Sequence, residues 1–224
     1  MLYTENMPGK NVLKEYKPNT YYHLYNRGVA RQKIFIDEKD YKKFLSYLKL
    51  YLDPENLLNL QGCSLKVAPS RKLKNYFDKV RLHAYSLMPN HFHLLLYQVE
   101  IDSINHFMRS FATKYSMYFN KKYKRVGPLY ENIFKAVEIK TENQLIYISK
   151  YIHRNPLDIL PTGMFLEGYK YSSYANYLGR FLQTWVETSE ILSYFKKQSY
   201  QDFVEEQDER DIVTIKDLTI DLEN

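Results

Sequence analysis

A chain of 224 residues can bury a sizeable core, and its formal charge of +6 understates how basic most of it is. Residues 201–224 hold nine acids against Arg210 and Lys216, so that tail is −7 and residues 1–200 carry +13, a balance that suits a polyanionic partner with the acidic tail competing for the same surface. The single cysteine, Cys63, excludes an internal disulfide and a cysteine-based metal cluster, and the absence of a ~20-residue apolar run or a secretory leader points to an intracellular protein with no membrane partner.

In chain order, Thr20 to Arg27 is rich in aromatics and ends at Gly28, as a strand does. Asp37 can cap a helix on which Tyr41, Phe44, Leu45, Leu48 and Leu52 repeat at helical spacing until Pro54 stops it. Residues 53–79 read as a basic insertion containing Lys66, Arg71, Lys72 and Lys74, a solvated excursion with a DNA-contacting loop as the alternative. Val80 to Met88 alternates, placing Val80, Leu82, Ala84 and Met88 on one side, and Pro89-Asn90 turns the chain into a second strand, His91 to Val99.

Asp102 or Ser103 begins a second helix whose buried stripe is Ile104, Phe107, Phe111, Tyr115 and Tyr118. Its end carries Lys121, Lys122, Lys124 and Arg125 around Tyr123, a cluster suited to backbone phosphates or, more plainly, to the helix dipole. Ile133 to Ile139 reads as a fourth strand. Thr141 with Gln144 announces a helix that runs to Asn155-Pro156, where proline disfavours helix at the residue before it. Tyr171 to Gly179 reads as a turn and a short helix, and 189–206 as an amphipathic helix using Leu192, Phe195 and Phe203.

This order of elements is the split βαβ arrangement with one helix added. The fold class expected is α+β, a ferredoxin-like antiparallel sheet with helices on one face and a helical C-terminal extension. Residues 1–17 form an arm, 18–160 the main domain, 161–206 the extension, and 207–224 a disordered acidic tail.

His91 and His93 open the central hairpin strand. Alternation puts both on one face, about 6–7 Å apart along the chain, with Phe92 on the other, and two neutral imidazoles at that separation can converge on a divalent cation. The spacing alone is weak, because ordinary core or edge histidines produce it too. On the helix 141–155, Tyr147, Tyr151 and Asn155 recur every four residues on one face, which offers a nucleophile and an amide ligand on one rigid element. Mg²⁺ or Mn²⁺ held by imidazole and amide oxygen would polarise a phosphate for attack by a tyrosine hydroxyl. A free phenol has a pKa of ~10, so at pH 7 the ionised form costs roughly 4 kcal/mol that metal and basic neighbours must reduce.

Taken together, Pro89-Asn90-His91-Phe92-His93-Leu94-Leu95 after a strand, Tyr151-Ile152-His153-Arg154-Asn155-Pro156 about sixty residues on, and Tyr171-Ser172-Ser173-Tyr174 resemble the HUH single-tyrosine transposases of small insertion sequences, in particular their REP-associated branch. The resemblance spans roughly residues 18–180. It implies His91, His93 and Asn155 as metal ligands and Tyr151 as the nucleophile, with Tyr147 the alternative. Tyr151 is preferred because it precedes the Ile-x-x-Asn-Pro pattern. It further implies a bacterial cytoplasm and single-stranded DNA carrying a hairpin as partner. The expected chemistry is cleavage that leaves a 5′-phosphotyrosine and a free 3′-hydroxyl, with a monomer and a homodimer both open. Lys121, Lys122, Lys124 and Arg125, and after them Asn26 and Arg27, are the candidate phosphate contacts. His153, about 200° round the helix from Tyr151, reads as a surface or structural residue. His23, His83 and His106 also default to structure, with His23 the exception if it shares the sheet face. The rival readings are a non-catalytic hairpin-binding relative and a replication or conjugation nickase. The nickase usually brings a helicase or a second nearby tyrosine, and the chain has no phosphate-binding Gly-Lys-Thr loop.

Overall fold

Four strands and three main helices follow one another as β1 (Thr20–Arg27), α1 (Glu38–Leu52), β2 (Val80–Met88), β3 (His91–Gln98), α2 (Ser103–Lys122), β4 (Lys135–Ile139) and α3 (Glu142–Arg154). The computed structural model describes residues 16–54, 74–195 and 199–206. Most of the expected N-terminal arm, the insertion between 55 and 73 with Lys66, Arg71 and Lys72, and the acidic tail from 207 lie outside the described residues. The strands form one antiparallel sheet in the order β2-β3-β1-β4, the split βαβ order expected from the sequence.

The helix ends follow local chemistry. Asp37 and Asp40 form a reciprocal capping box on α1, and Thr141 caps α3 by accepting from the Gln144 amide at 3.1 Å. The Gln144 side chain reaches one residue further back than a standard box, accepting from the Lys140 amide at 2.8 Å. At α2 the cap comes from the sheet, because Gln98 Oε1 accepts from the Ile104 amide at 3.0 Å.

Alternation divides the strands between two cores. Tyr22, Leu24, Phe92, Leu94 and Leu96 face α1 and α2, where each fully buried apolar side chain contributes about 1.5–3 kcal/mol. α1 and α2 cover one face, as expected. α3 does not join them: Leu145, Ile148 and Ile152 pack with Ala84 and Leu95 on the opposite face. The alternation expected in β2 also breaks, because a bulge between Leu82 and Ala84 inserts His83 and reverses the parity. Val80 and Leu82 therefore share a face with Tyr85 and Leu87, while Ala84 turns to the α3 side.

The extension completes the α3 layer with short helices α4 (Tyr174–Tyr177), α5 (Ser189–Leu192) and α6 (Tyr200–Glu205). The single amphipathic helix expected over 189–206 is two pieces, since Ser199 is extended and caps α6 by accepting from Asp202 at 3.0 Å. The extension also lines the free edge of β2, with amide bonds Leu87 to Tyr171 O at 2.9 Å, Ser173 to Tyr85 O at 3.0 Å and Glu187 to Leu82 O at 2.8 Å. Among the described residues no helix is long and apolar enough to cross a membrane.

Candidate active site

The site lies where β3 begins. The Ile34 and Phe35 amides donate to Pro89 O at 2.8 and 3.0 Å, and the Gly28 amide donates to Asn90 O at 2.8 Å, so three amides from two segments fix the turn that launches His91. Gly28 is required there by space, since a Cβ at that position would lie 2.2 Å from Gln32 O. From this turn, alternation sends Phe92 into the α1–α2 core and His91 and His93 toward α3.

His91 and His93 have ring centroids 5.2 Å apart and planes at 87°. Both ring nitrogens of His91 face amide oxygens, Nδ1 at 2.7 Å from Asn90 Oδ1 and Nε2 at 3.2 Å from Asn155 Oδ1. A neutral imidazole has one N–H, so it donates to one of these oxygens, and a second proton, a rotated amide or a metal ion at the other nitrogen would each complete the set. Among the described residues no group of three or more His, Cys, Asp or Glu side chains is arranged to hold a metal; His91, His93 and Asn155 offer imidazole nitrogens and an amide oxygen, donors of the kind Mg²⁺ or Mn²⁺ can take.

α3 positions the other two members. It ends at Arg154, and Asn155 keeps helical angles (φ −51°, ψ −34°) despite the following proline because the chain tightens into a 3-10 turn over Asn155–Ile159. The Tyr151 ring lies edge-on over His93, with centroids 5.4 Å apart at 90°, and against His23 at 6.0 Å and 79°. Tyr147 turns elsewhere, packing on Phe203 of α6 at 5.4 Å. The structure thus brings His91, His93, Tyr151 and Asn155 together and directs Tyr147 into the extension.

His153 is structural and fully buried. Its Nδ1 lies 2.7 Å from Tyr200 Oη and its Nε2 2.8 Å from Ser173 Oγ, and burial pushes its pKa down to about 3. These bonds tie α3 to the extension. His106 is exposed on α2, and His83 is buried in the bulge.

The basic candidates divide by partner. Lys121 and Lys124 are exposed. Lys122 is bound to Asp37 at 2.7 Å and to the buried Asp40 at 2.6 Å. Burial acts to raise the Asp40 pKa, and hydrogen bonds from Lys122, the Ile36 amide and Tyr123 outweigh it, holding this carboxyl below its ordinary value. Arg125 donates to Asn120 and Gln32 at 3.1 Å each, and Arg27 makes a two-pronged pair with Glu131 at 3.0 and 3.1 Å. Asn26 is buried, donating to Asn132 O at 3.2 Å and accepting from the Arg27 amide at 2.9 Å. These contacts build the framework beside the site.

Lys135 escaped the sequence reading. Tyr25 is the register partner of both His93 and Lys135, and Lys135 Nζ lies 5.6 Å from the Tyr25 ring, which puts a cation on the site face. His23 lies 2.9 Å from His93, on the face that made it the exception. Strand parity signals His23, whereas Lys135 becomes legible only once β1 and β4 are paired in register.

Comparisons with known proteins bear on the fold and on the family. Residues 65–155 match the model of the family described as Transposase IS200 like, and that segment contains all four converging residues. No curated protein matches the chain. A solved structure of a REP-associated tyrosine transposase bound to a REP hairpin has the same fold at a TM-score of 0.51 and 12% identity, covering 78% of this chain and 89% of that one. A protein from Deinococcus radiodurans R1, provisionally named a transposase, aligns at a TM-score of 0.37 and 16% identity over 63% of this chain and 94% of its own. The chain is therefore similar over residues 65–155 to the IS200-like transposases, and it is built on the α+β fold of a REP-associated tyrosine transposase.

Proposed function

We propose that this chain cuts and rejoins single-stranded DNA beside hairpins, with Tyr151 as nucleophile and His91, His93 and Asn155 as ligands of one Mg²⁺ or Mn²⁺. The family match supports an enzyme acting on DNA. The observation that carries the finer reading is the approach of His91 Nε2 to Asn155 Oδ1 beside a tyrosine that lies over His93.

When bound, the divalent ion supplies Lewis acidity to the scissile phosphate. Tyr151 Oη attacks phosphorus, its proton passes to solvent, and the bond to the 3′-oxygen breaks; that oxygen takes up a proton and leaves as a free hydroxyl. One ester replaces another, so the bond energy is kept in the 5′-phosphotyrosine. A 3′-hydroxyl on a second strand then attacks the same phosphorus, restores a diester and returns Tyr151 as a phenol. α3 contributes orientation, because it carries the nucleophile and an amide ligand one turn apart on a rigid element. Lys121, Lys124 and Lys135 suit backbone phosphates, while Lys122, Arg125, Arg27 and Asn26 brace the surface that presents them.

Tyr151 lies against the histidines of its own chain, an arrangement that a monomer could use, with a homodimer as the alternative. A hairpin-bearing single strand, labelled on either side of its cleavage point and incubated with Mn²⁺, tests the reading. The label 3′ of the break is expected on the protein in a denaturing gel and the label 5′ of it in a free fragment. No adduct with any metal would favour a non-catalytic hairpin-binding protein.

A further inference from the structure

The two histidines of the pair are held by different acceptors. His91 Nδ1 faces the amide oxygen of Asn90, a residue of the exposed turn, whereas His93 Nδ1 faces Nε2 of His23 on the neighbouring strand at 2.9 Å. His23 and His93 are both fully buried, and their rings lie nearly parallel, 14° apart with centroids at 5.1 Å. His23 also meets the edge of the Tyr151 ring at 6.0 Å. One side chain therefore touches a candidate ligand and the candidate nucleophile.

We infer that His23 is a positioning residue that fixes His93 in the tautomer whose Nε2 faces the metal and that walls Tyr151 into place. This rests on the metal reading of the site. For His93 to ligate through Nε2, its proton must sit on Nδ1, and His23 Nε2 lies within reach of that proton. His23 must then accept there and carry its own proton on Nδ1. An imidazole as acceptor is unusual, since such ligands commonly donate to a carboxylate, a carbonyl or water. Being neutral, it orients His93 without adding a negative charge that would cancel part of the cation's pull on a phosphate.

His23→Leu and His23→Gln separate this role from packing. Glutamine places its oxygen near the position of the histidine Nε2 and can accept from His93; leucine fills space without accepting. The first measurement is Mn²⁺ affinity by electron paramagnetic resonance, and the second is the His93 tautomer by ¹⁵N chemical shift in the metal-free protein. His23→Leu is expected to weaken Mn²⁺ binding 10- to 100-fold and to mix the tautomers, while His23→Gln keeps the Nδ1–H form and an affinity within a few-fold of wild type. Leucine binding Mn²⁺ as wild type does, or glutamine losing as much as leucine, overturns the inference. If leucine fails to fold, the glutamine variant still decides by its tautomer. Wild type that binds no Mn²⁺ overturns the metal reading as well, and a His93 that carries its proton on Nε2 in metal-free wild type overturns the His23 role alone.

Discussion

His91 Nε2 and Asn155 Oδ1 approach to 3.2 Å from two elements sixty-four residues apart, the first residue of β3 and the residue that closes α3. In the proposed site both would be donors to one cation. Asn155→Ala removes one of them, and the Mn²⁺ concentration needed for half-maximal adduct formation is expected to rise roughly tenfold or more. Asn155→Asp keeps an oxygen there and is expected to need no more metal than wild type. Titrating Mn²⁺ against adduct yield checks both.

The basic cluster is not one surface. Lys121→Ala and Lys124→Ala are each expected to weaken binding to unrelated DNA sequences alike and to reduce the salt slope by about one. Lys122→Met is expected to leave the slope and lower the melting temperature, because it strips a partner from the buried Asp40. Fluorescence anisotropy at several salt concentrations, with a thermal melt of each variant, separates the two effects.

Acid should destabilise the fold before its carboxylates protonate. Burial pushes His83 down to about 4 and His153 to about 3, from an ordinary value of 6.5. Below pH 6.5 the unfolded chain therefore binds protons that the folded one refuses. The stabilising contribution is complete above that pH and is lost as pH falls toward 4 and then 3. His83 is fully buried, and that burial outweighs the Glu187 backbone and the Glu190 and Glu187 charges that act to raise its pKa. His83→Leu is expected to raise stability by about 1 kcal/mol at pH 7.5 and by more at pH 5. Urea midpoints at the two pH values measure this, and a loss of stability would contradict it.

Gly28 is fixed by space alone, since its φ of −64° is open to any residue. Gly28→Ala would set a methyl 2.2 Å from Gln32 O and 2.9 Å from Ile34 Cγ2, forcing the β1 exit away from the Pro89-Asn90 turn. A stability loss of about 1–3 kcal/mol is expected, with a parallel fall in Mn²⁺ affinity as His91 shifts.

Much of this was legible in the residues because it depends on short periods. Strand alternation separated His91 and His93 from Phe92, and four-residue spacing put Tyr151 and Asn155 on one helix face. The bulge at His83 was not legible, because an inserted residue leaves the alternation of its neighbours looking intact while reversing its direction. Lys122 read as a phosphate contact because its partners Asp37 and Asp40 lie more than eighty residues away in sequence and are brought to it only by the packing of α1 against α2. The preference for Tyr151 over Tyr147 rests on the Ile-x-x-Asn-Pro pattern after it, whereas the contact that occupies Tyr147, with Phe203 of α6, comes from more than fifty residues further along the chain.

The central claim is that Tyr151 forms the bond to DNA, and one gel tests it most directly. Wild type, Tyr151→Phe and Tyr147→Phe are incubated with Mn²⁺ and a labelled hairpin-bearing single strand, then denatured. The account predicts a covalent protein–DNA band from wild type and Tyr147→Phe and none from Tyr151→Phe. A band that persists in Tyr151→Phe and vanishes in Tyr147→Phe would contradict it.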